Sequence, residues 1–313
     1  MTSRSQVISV SGDSVLLEKE VKTFSSPISG ICTVILDSEV LLISTFDGEV
    51  HIYVARDSGA WSQTDRLKRL NDSETYIAGL CACGDGTPYI LTVNANGDFY
   101  IWKIENEGKF SSSIASLKLR NGSLSCVTCL NVGDDRIFAF CGGNDPSLYI
   151  VQIRLDKGQI INVRSRGRFA AHASSINSID TTEFAGGIVA TASDDRTVRI
   201  WSVTDILEVG PKTGDVPHAT HIMKHPVTMV RFSKQNGFVA TISGEELVII
   251  RVFPDDKSHF FSQPVAHHTW HSSFTSFCWG PNDESIIASV DGDPPRIVKL
   301  IPRKELNLLT LRD

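Results

Sequence analysis

The chain repeats itself about every fifty residues, and no other feature constrains its fold as tightly. A turn followed by a short apolar strand recurs as FDGEVHIY (46–53), ANGDFYIW (95–102), NDPSLYIV (144–151), DDRTVRIW (194–201) and GEELVIIR (244–251). A less regular copy, DGDPPRIVK, covers 291–299. The last residues of these segments, Tyr53, Trp102, Val151, Trp201, Arg251 and Lys299, are separated by 49, 49, 50, 50 and 48 positions. Two further markers keep the same phase. One opens each unit, as in Ile28-Ser29-Gly30-Ile31-Cys32 and Ile77-Ala78-Gly79-Leu80-Cys81, and continues at 126–129, 176–179, 227–230 and 274–277. The other is an apolar strand, VLLIST, YILTV, IFAFC, IVATAS, FVATIS or IIASV, just before each turn.

Each turn-strand is followed by a more polar, alternating stretch such as WSQTDRLKRL (61–70) or SSIASLKLR (112–120). A unit therefore reads as four short strands, the inner ones buried and the outermost amphipathic. No segment keeps a helical stripe through three turns, so the class is all-β. Four-stranded units at this period fit the blades of a β-propeller better than a sandwich, whose strands show no such repeat. The whole chain, 1–313, reads as one such domain, with blades near 25–70, 71–121, 122–170, 171–223, 224–266 and 267–313. An amino-terminal hairpin at 6–24 (Gln6–Val10 and Ser14–Thr23) is left over. The layout expected is six full four-stranded blades plus a partial seventh built from this hairpin; the alternative is a closed six- or seven-bladed ring. Leu306–Arg312 reads as the outer strand of the sixth blade. An unfinished blade would leave backbone groups unpaired, and a partner could supply the missing strands.

The best copy, His172 … IVATASDDRTVRIW … Ser202, resembles the WD-repeat family. That resemblance implies a structural tetrad of His172, Thr191, Asp195 and Trp201, joined by hydrogen bonds. The other copies depart from the pattern: Asn96 and Glu245 replace the turn acid, and most lack the histidine. By the same resemblance, partners bind the face that carries the turn acids. This points to Phe46, Asn144 and Asp194, to Tyr76, Ser175 and Thr275, and to their neighbours Arg196 and Trp270. The function implied is a non-catalytic scaffold or adaptor subunit of a multiprotein complex, in the cytoplasm or nucleus, with proteins or peptides as partners. In its unfinished form the ring is similar to the propellers of vesicle coats and nuclear-pore scaffolds. The alternatives are a substrate receptor of a ubiquitin ligase, an RNA- or phosphoinositide-binding propeller, and a propeller hydrolase.

Composition narrows these classes. A net charge of −6 argues against nucleic acid as the main ligand. No apolar run is long enough to span a bilayer. Seven cysteines cannot all pair, and the simplest reading is reduced, buried thiols. Cys126-x-x-Cys129 has finger-like spacing, yet residues three apart on a strand face opposite sides. His267-His268-Thr269-Trp270-His271 lies in a predicted loop without a cysteine pair, so neither a metal nor any other cofactor is expected. No nucleophile, phosphate-loop or dinucleotide motif is present, and no catalytic residue is assigned. The Asp47-Gly48 and Asn96-Gly97 pairs read as two-residue turns, which makes their acids and amides turn formers. Arg164, Arg166 and Arg168 alternate along one face of an outer strand. Such a row protects a sheet edge or binds an anionic ligand, and edge protection is the simpler role.

Overall fold

The protein's structure, a computed structural model, describes residues 3–11, 14–24, 26, 28–55, 61–67, 77–83, 86–105, 108–111, 113–209, 216–234, 237–254, 260–280, 283–302 and 309–312. Strands β1 (Ser3–Ser11) and β2 (Ser14–Phe24) pair with each other as a two-stranded antiparallel sheet. The first four-stranded sheet follows, β3 (Ile28–Ile35), β4 (Glu39–Thr45), β5 (Val50–Ala55) and β6 (Trp61–Leu67), with strands in chain order. In the second, β7 (Ile77–Ala82), β8 (Tyr89–Asn94) and β9 (Asp98–Glu105) are completed by two short pieces, β10 (Lys109–Phe110) and β11 (Ala115–Lys118). Both pieces pair with β9, so together they fill one outer position.

The third sheet holds β12 (Leu124–Asn131), β13 (Arg136–Gly143), β14 (Ser147–Asp156) and β15 (Gln159–Ala170). The fourth holds β16 (Ile176–Thr182), β17 (Ile188–Ser193), β18 (Thr197–Ser202) and β19 (Ala219–Ile222). The fifth is β20 (Met229–Phe232), β21 (Phe238–Ser243), β22 (Glu246–Pro254) and β23 (Phe260–Thr269). The sixth is β24 (Phe274–Trp279), β25 (Ser285–Val290), β26 (Asp293–Pro302) and β27 (Leu309–Arg312). β23 runs through 267–269, past the boundary placed after 266 from the sequence. The chain divides into two compact units, 1–141 with 150–165, and 142–149 with 166–313, and the division passes through the third sheet.

Strands β8 and β17 are buried at every residue, which is why their sequences are mostly apolar and do not alternate. Within the first unit, Val34, Val40, Leu42 and Ile52 of the first sheet pack against Ile77, Ile90 and Trp102 of the second. Within the second unit, Ile188, Ala190 and Ile200 meet Val230, Val239 and Ile250, and Ala240 and Ile249 meet Phe274, Phe277 and Ala288. In each of these pairs one sheet covers a face of the next.

Three local features differ from the sequence reading. A seven-residue helix, α1 (Val203–Val209), follows β18, started by the Ser202 hydroxyl accepting from the Asp205 N–H at 3.3 Å. The turn at Asp47-Gly48 holds three residues, 46–48, closed by Gly48 N–H donating to Thr45 C=O and Thr45 N–H donating to Glu49 C=O. This is the hairpin in which a type I turn ends on a left-handed residue, here Gly48 at φ 85°. In the fifth sheet the loop is one residue shorter, because Ser243 pairs with Glu246 across Gly244 and Glu245. A one-residue change reverses every side chain that follows. Counting fifty positions from Trp201 reaches Arg251, but the register places Ile250 there, opposite Val239 as Trp201 is opposite Val189. Arg251 lies on the other face.

Candidate functional site: the repeat tetrad and the turn surface

His172 sits in the short segment between β15 and β16, Thr191 on β17, Asp195 in the β17–β18 turn, and Trp201 on β18. Trp201 pairs with Val189, which puts Thr191 diagonally across from it on the same face. Trp201 Nε1–H donates to Thr191 Oγ1 at 3.0 Å. The Asp195 carboxylate can only accept, so a neutral His172 donates at that end and its Nε2 accepts the threonine proton, 2.7 Å away. That nitrogen must carry a lone pair. The ring proton is therefore on Nδ1, which donates to Asp195 Oδ2 at 2.9 Å. Asp195 also accepts from the Ala173 N–H (2.9 Å), the Thr197 N–H (2.9 Å) and the Thr197 hydroxyl (2.6 Å). Arg199 adds Nη1–H to Ala171 C=O at 2.9 Å, with Nη2 3.8 Å from Asp195. Burial pushes the His172 pKa down to about 4. Burial alone would raise the Asp195 carboxyl, but the Ala173 amide, the Thr197 hydroxyl and His172 together hold it at about 2. Thr197, Ala173 and Arg199 were not singled out by the sequence. An acid that accepts from four donors to either side of a turn is a brace, not a proton donor.

The second sheet keeps half of this arrangement, with Trp102 Nε1–H donating to Thr92 Oγ1 at 3.0 Å. In the first sheet Ile43 stands where Thr191 does and Tyr53 where Trp201 does, and the buried Tyr53 hydroxyl has no hydrogen-bond partner among the described residues. Burial raises its pKa to about 12.

The outward residues of the turns are placed as follows. Phe46 is 49% exposed, and Asn144, Asp194, Arg196 and Thr275 are exposed, while Ser175 is half-buried. Tyr76 lies outside the described residues. Asp194 accepts from Asn177 Nδ2 at 2.7 Å, and the same amide donates to Val227 C=O at 2.9 Å, tying the fourth sheet to the lead-in of the fifth. Half-buried Trp270 donates to Asp293 Oδ2 (3.2 Å), which also lies 3.0 Å from His271 Nε2, and the Arg296 guanidinium stacks 4.9 Å from the indole.

Residues 164–202 match the family model described as WD domain, G-beta repeat. Two curated relatives from Arabidopsis thaliana, a WD repeat-containing protein 26 homolog and a WD repeat-containing protein WDS homolog, are each 25% identical. The first match covers 54% of this chain and 27% of the relative, the second 51% and 29%. The chain thus matches under a third of either relative's length. A chain in the crystal structure of the mitotic checkpoint complex superposes with a TM-score of 0.63 at 16% identity, over 88% of this chain and 78% of that one. Residues 164–202 are a WD repeat, and the fold is that of a β-propeller.

Elsewhere in the propeller, the three arginines of β15 are exposed and each has an acceptor close by. Arg164 bonds Gln152 Oε1 at 2.9 and 3.2 Å, Arg166 bonds Leu207 C=O at 3.3 Å, and Arg168 bonds the Tyr149 hydroxyl at 2.9 Å. Among the described residues no group of three or more His, Cys, Asp or Glu is arranged to hold a metal. The expectation that all the thiols are buried needs correction. Cys83 and Cys141 are buried, Cys32, Cys81, Cys126 and Cys129 are half-buried, and Cys278, on the outward side of β24, is exposed.

Arg196 carries an unusual backbone. It adopts φ 65° at the position filled by Gly48 (φ 85°) and Gly97 (φ 88°) in the first two repeats. An L-residue there costs about 1–2 kcal/mol, of which glycine's extra chain entropy would return part. Arg196→Gly is therefore expected to raise stability by about 0.5–1 kcal/mol, read as a higher urea midpoint. A fall in the midpoint would show instead that the arginine braces the turn.

Proposed function

We propose that this propeller is a non-catalytic scaffold subunit of a multiprotein complex, and that a strand pair donated by a partner protein completes the β1–β2 sheet and packs on the open face of the first four-stranded sheet. The supporting observation is Ile31. It stands opposite Ile43, and the residues in the same register of the second, fourth, fifth and sixth sheets are Leu80, Ile179, Val230 and Phe277. Ile179, Val230 and Phe277 are 3%, 0% and 4% exposed, and Leu80, Val230 and Phe277 pack on the sheet before their own. Ile31 is 57% exposed, and Ile35, on the same side of β3, is 54% exposed. Among the described residues that face gathers only Ile43 and Tyr53 as buried members. Isolated exposed isoleucines are ordinary, but a pair at the position that buries the sheet–sheet joint elsewhere suits an interface. The β1–β2 pair has two strands where the other sheets have four or five, which suits completion by an added pair. Such addition is a main-chain mode of binding and needs no catalytic group.

The fold neighbour comes from a structure titled as a complex, which favours an assembly role over a solitary one. A cytoplasmic or nuclear location fits the odd number of cysteines. Affinity purification with quantitative mass spectrometry, comparing the native chain with Ile31→Glu, tests the reading. Partner recovery should fall by at least about tenfold, with the melting temperature unchanged because the side chain is largely in water. Equal recovery of every partner, or early melting of the variant, would count against it.

A further inference from the structure

The fifth sheet carries an aromatic and guanidinium ladder at the end remote from its Gly244–Glu245 turn. Arg251 pairs laterally with Phe238 on one side and Gln263 on the other, and one step along the strands Phe253 pairs with Phe261. All five therefore share one face. The Phe253 and Phe261 rings stack at 4.7 Å with an interplanar angle of 11°. The Arg251 guanidinium lies 4.8 Å from the Phe253 ring centre and 5.7 Å from that of Phe238. Phe238 packs against the buried cluster that contains Phe274 and Phe277, so the inner end of the ladder is fixed. Its outer end, Phe261, is 58% exposed.

Among the described residues no carboxylate or carbonyl bonds the Arg251 guanidinium, unlike Arg164 and Arg199 in this same chain. A half-buried guanidinium held by rings, with no acceptor among the described residues, is a preformed site for one. The rings hold the cation in place, so little side-chain entropy is lost when a ligand arrives. Its in-plane N–H edge matches the two oxygens of a carboxylate. Phe261 beside it offers a flat apolar landing. Pro264, in the middle of β23, lacks an N–H and disfavours strand addition along this outer edge, so recognition here is through side chains.

We propose that Arg251 and Phe261 form a second docking site, separate from the face of the first sheet, for an extended segment of a partner protein in which an Asp or Glu carboxylate seats on Arg251 and a neighbouring Leu or aromatic side chain covers Phe261. The net charge of −6 repels acidic ligands at long range, so affinity at this site comes from contact and not from steering. The segment accordingly carries one or two acids, not a run of them.

The probe is a display library of random twelve-residue peptides, selected on the full chain and measured one by one by fluorescence anisotropy. Selected peptides should be enriched in Asp or Glu within two positions of Leu, Phe, Tyr or Trp. Arg251→Gln should weaken them by about 10- to 100-fold. Arg251→Lys should weaken them nearly as much, because a lysine ammonium offers no planar fork. Phe261→Ser, which alters an exposed side chain and leaves the core intact, keeps the test usable if changes at Arg251 lower the melting temperature. Ile31→Glu should bind the same peptides as the native chain, which separates this site from the open face of the first sheet. Selection of no binder, selection without acid enrichment, or equal binding by Arg251→Gln and Phe261→Ser would each overturn the proposal.

Discussion

Alanine at Asp195 is expected to lower the unfolding free energy by about 1–3 kcal/mol, although the side chain supplies almost no apolar packing. Its two oxygens take the His172 Nδ1–H, the Ala173 N–H and both the N–H and hydroxyl of Thr197. Removing the acceptor leaves these donors in a region where His172 is buried to 6% exposure and Thr191 fully. The loss passes down the chain of bonds, because His172 holds the tautomer that lets Nε2 accept from Thr191, which in turn orients its oxygen to Trp201. Asp195→Asn should cost less than alanine, since the amide oxygen can still accept from Ala173 and Thr197 while losing the charge that favours the Nδ1 proton. Trp201→Phe should cost less again at the indole end, as it removes one donor and keeps most of the edge contact with Phe169 at 5.1 Å. The measurement is a urea midpoint for each variant at pH 7. If Asp195→Ala melts with the native chain, the hydrogen-bond chain contributes nothing and sheet packing alone holds this repeat.

The sequence exposes the period of this fold for a physical reason: a sheet packed between similar neighbours needs apolar residues on both faces, so the same apolar pattern returns in each copy. The tetrad is legible for a related reason, since an indole that only donates and a carboxylate that only accepts leave one way to arrange the imidazole and hydroxyl between them. What the sequence hides is anything decided by register or by a neighbouring sheet. Ile31 is of the same apolar kind as Leu80 and Val230, and its 57% exposure depends on what lies next to it, not on its own identity. Arg251 looks like the counterpart of Trp201 when positions are counted, and only the two-residue Gly244–Glu245 loop reveals that it faces the other way. The row of arginines on β15 is visible as alternation, but the acceptors that engage it, Gln152, Leu207 and Tyr149, come from other strands and from a helix too short to leave a stripe. Turn residues such as Asp194 read as outward-facing, yet its carboxylate is already engaged by Asn177.

The fold is also expected to weaken steadily as the solution is acidified below neutrality, and His172 sets where the decline begins. Unfolded, the imidazole titrates near 6.5; folded, burial lowers it to about 4. Between these values the unfolded chain binds a proton that the folded chain refuses, so stability falls as pH drops from about 6.5 to 4 and this contribution then levels off. The span corresponds to about 3 kcal/mol at most. Asp195 takes over at lower pH. Its folded value of about 2 lies below the ordinary 3.8, so the stability it lends is complete above 3.8 and is lost as pH falls toward 2. His221, lowered by burial, acts in the same direction as His172. Asp180 opposes them, because burial raises its carboxyl and a raised acid stabilises the fold as protons are added. The difference between the native chain and His172→Gln isolates the one imidazole from these neighbours. Urea midpoints at half-unit steps from pH 7.5 to 4 should show the native chain losing more stability than the variant, with the gap closing toward acid. A native chain whose stability is flat between pH 6.5 and 4.5 would mean that His172 is protonated in the fold, and that its bond to Thr191 runs the other way.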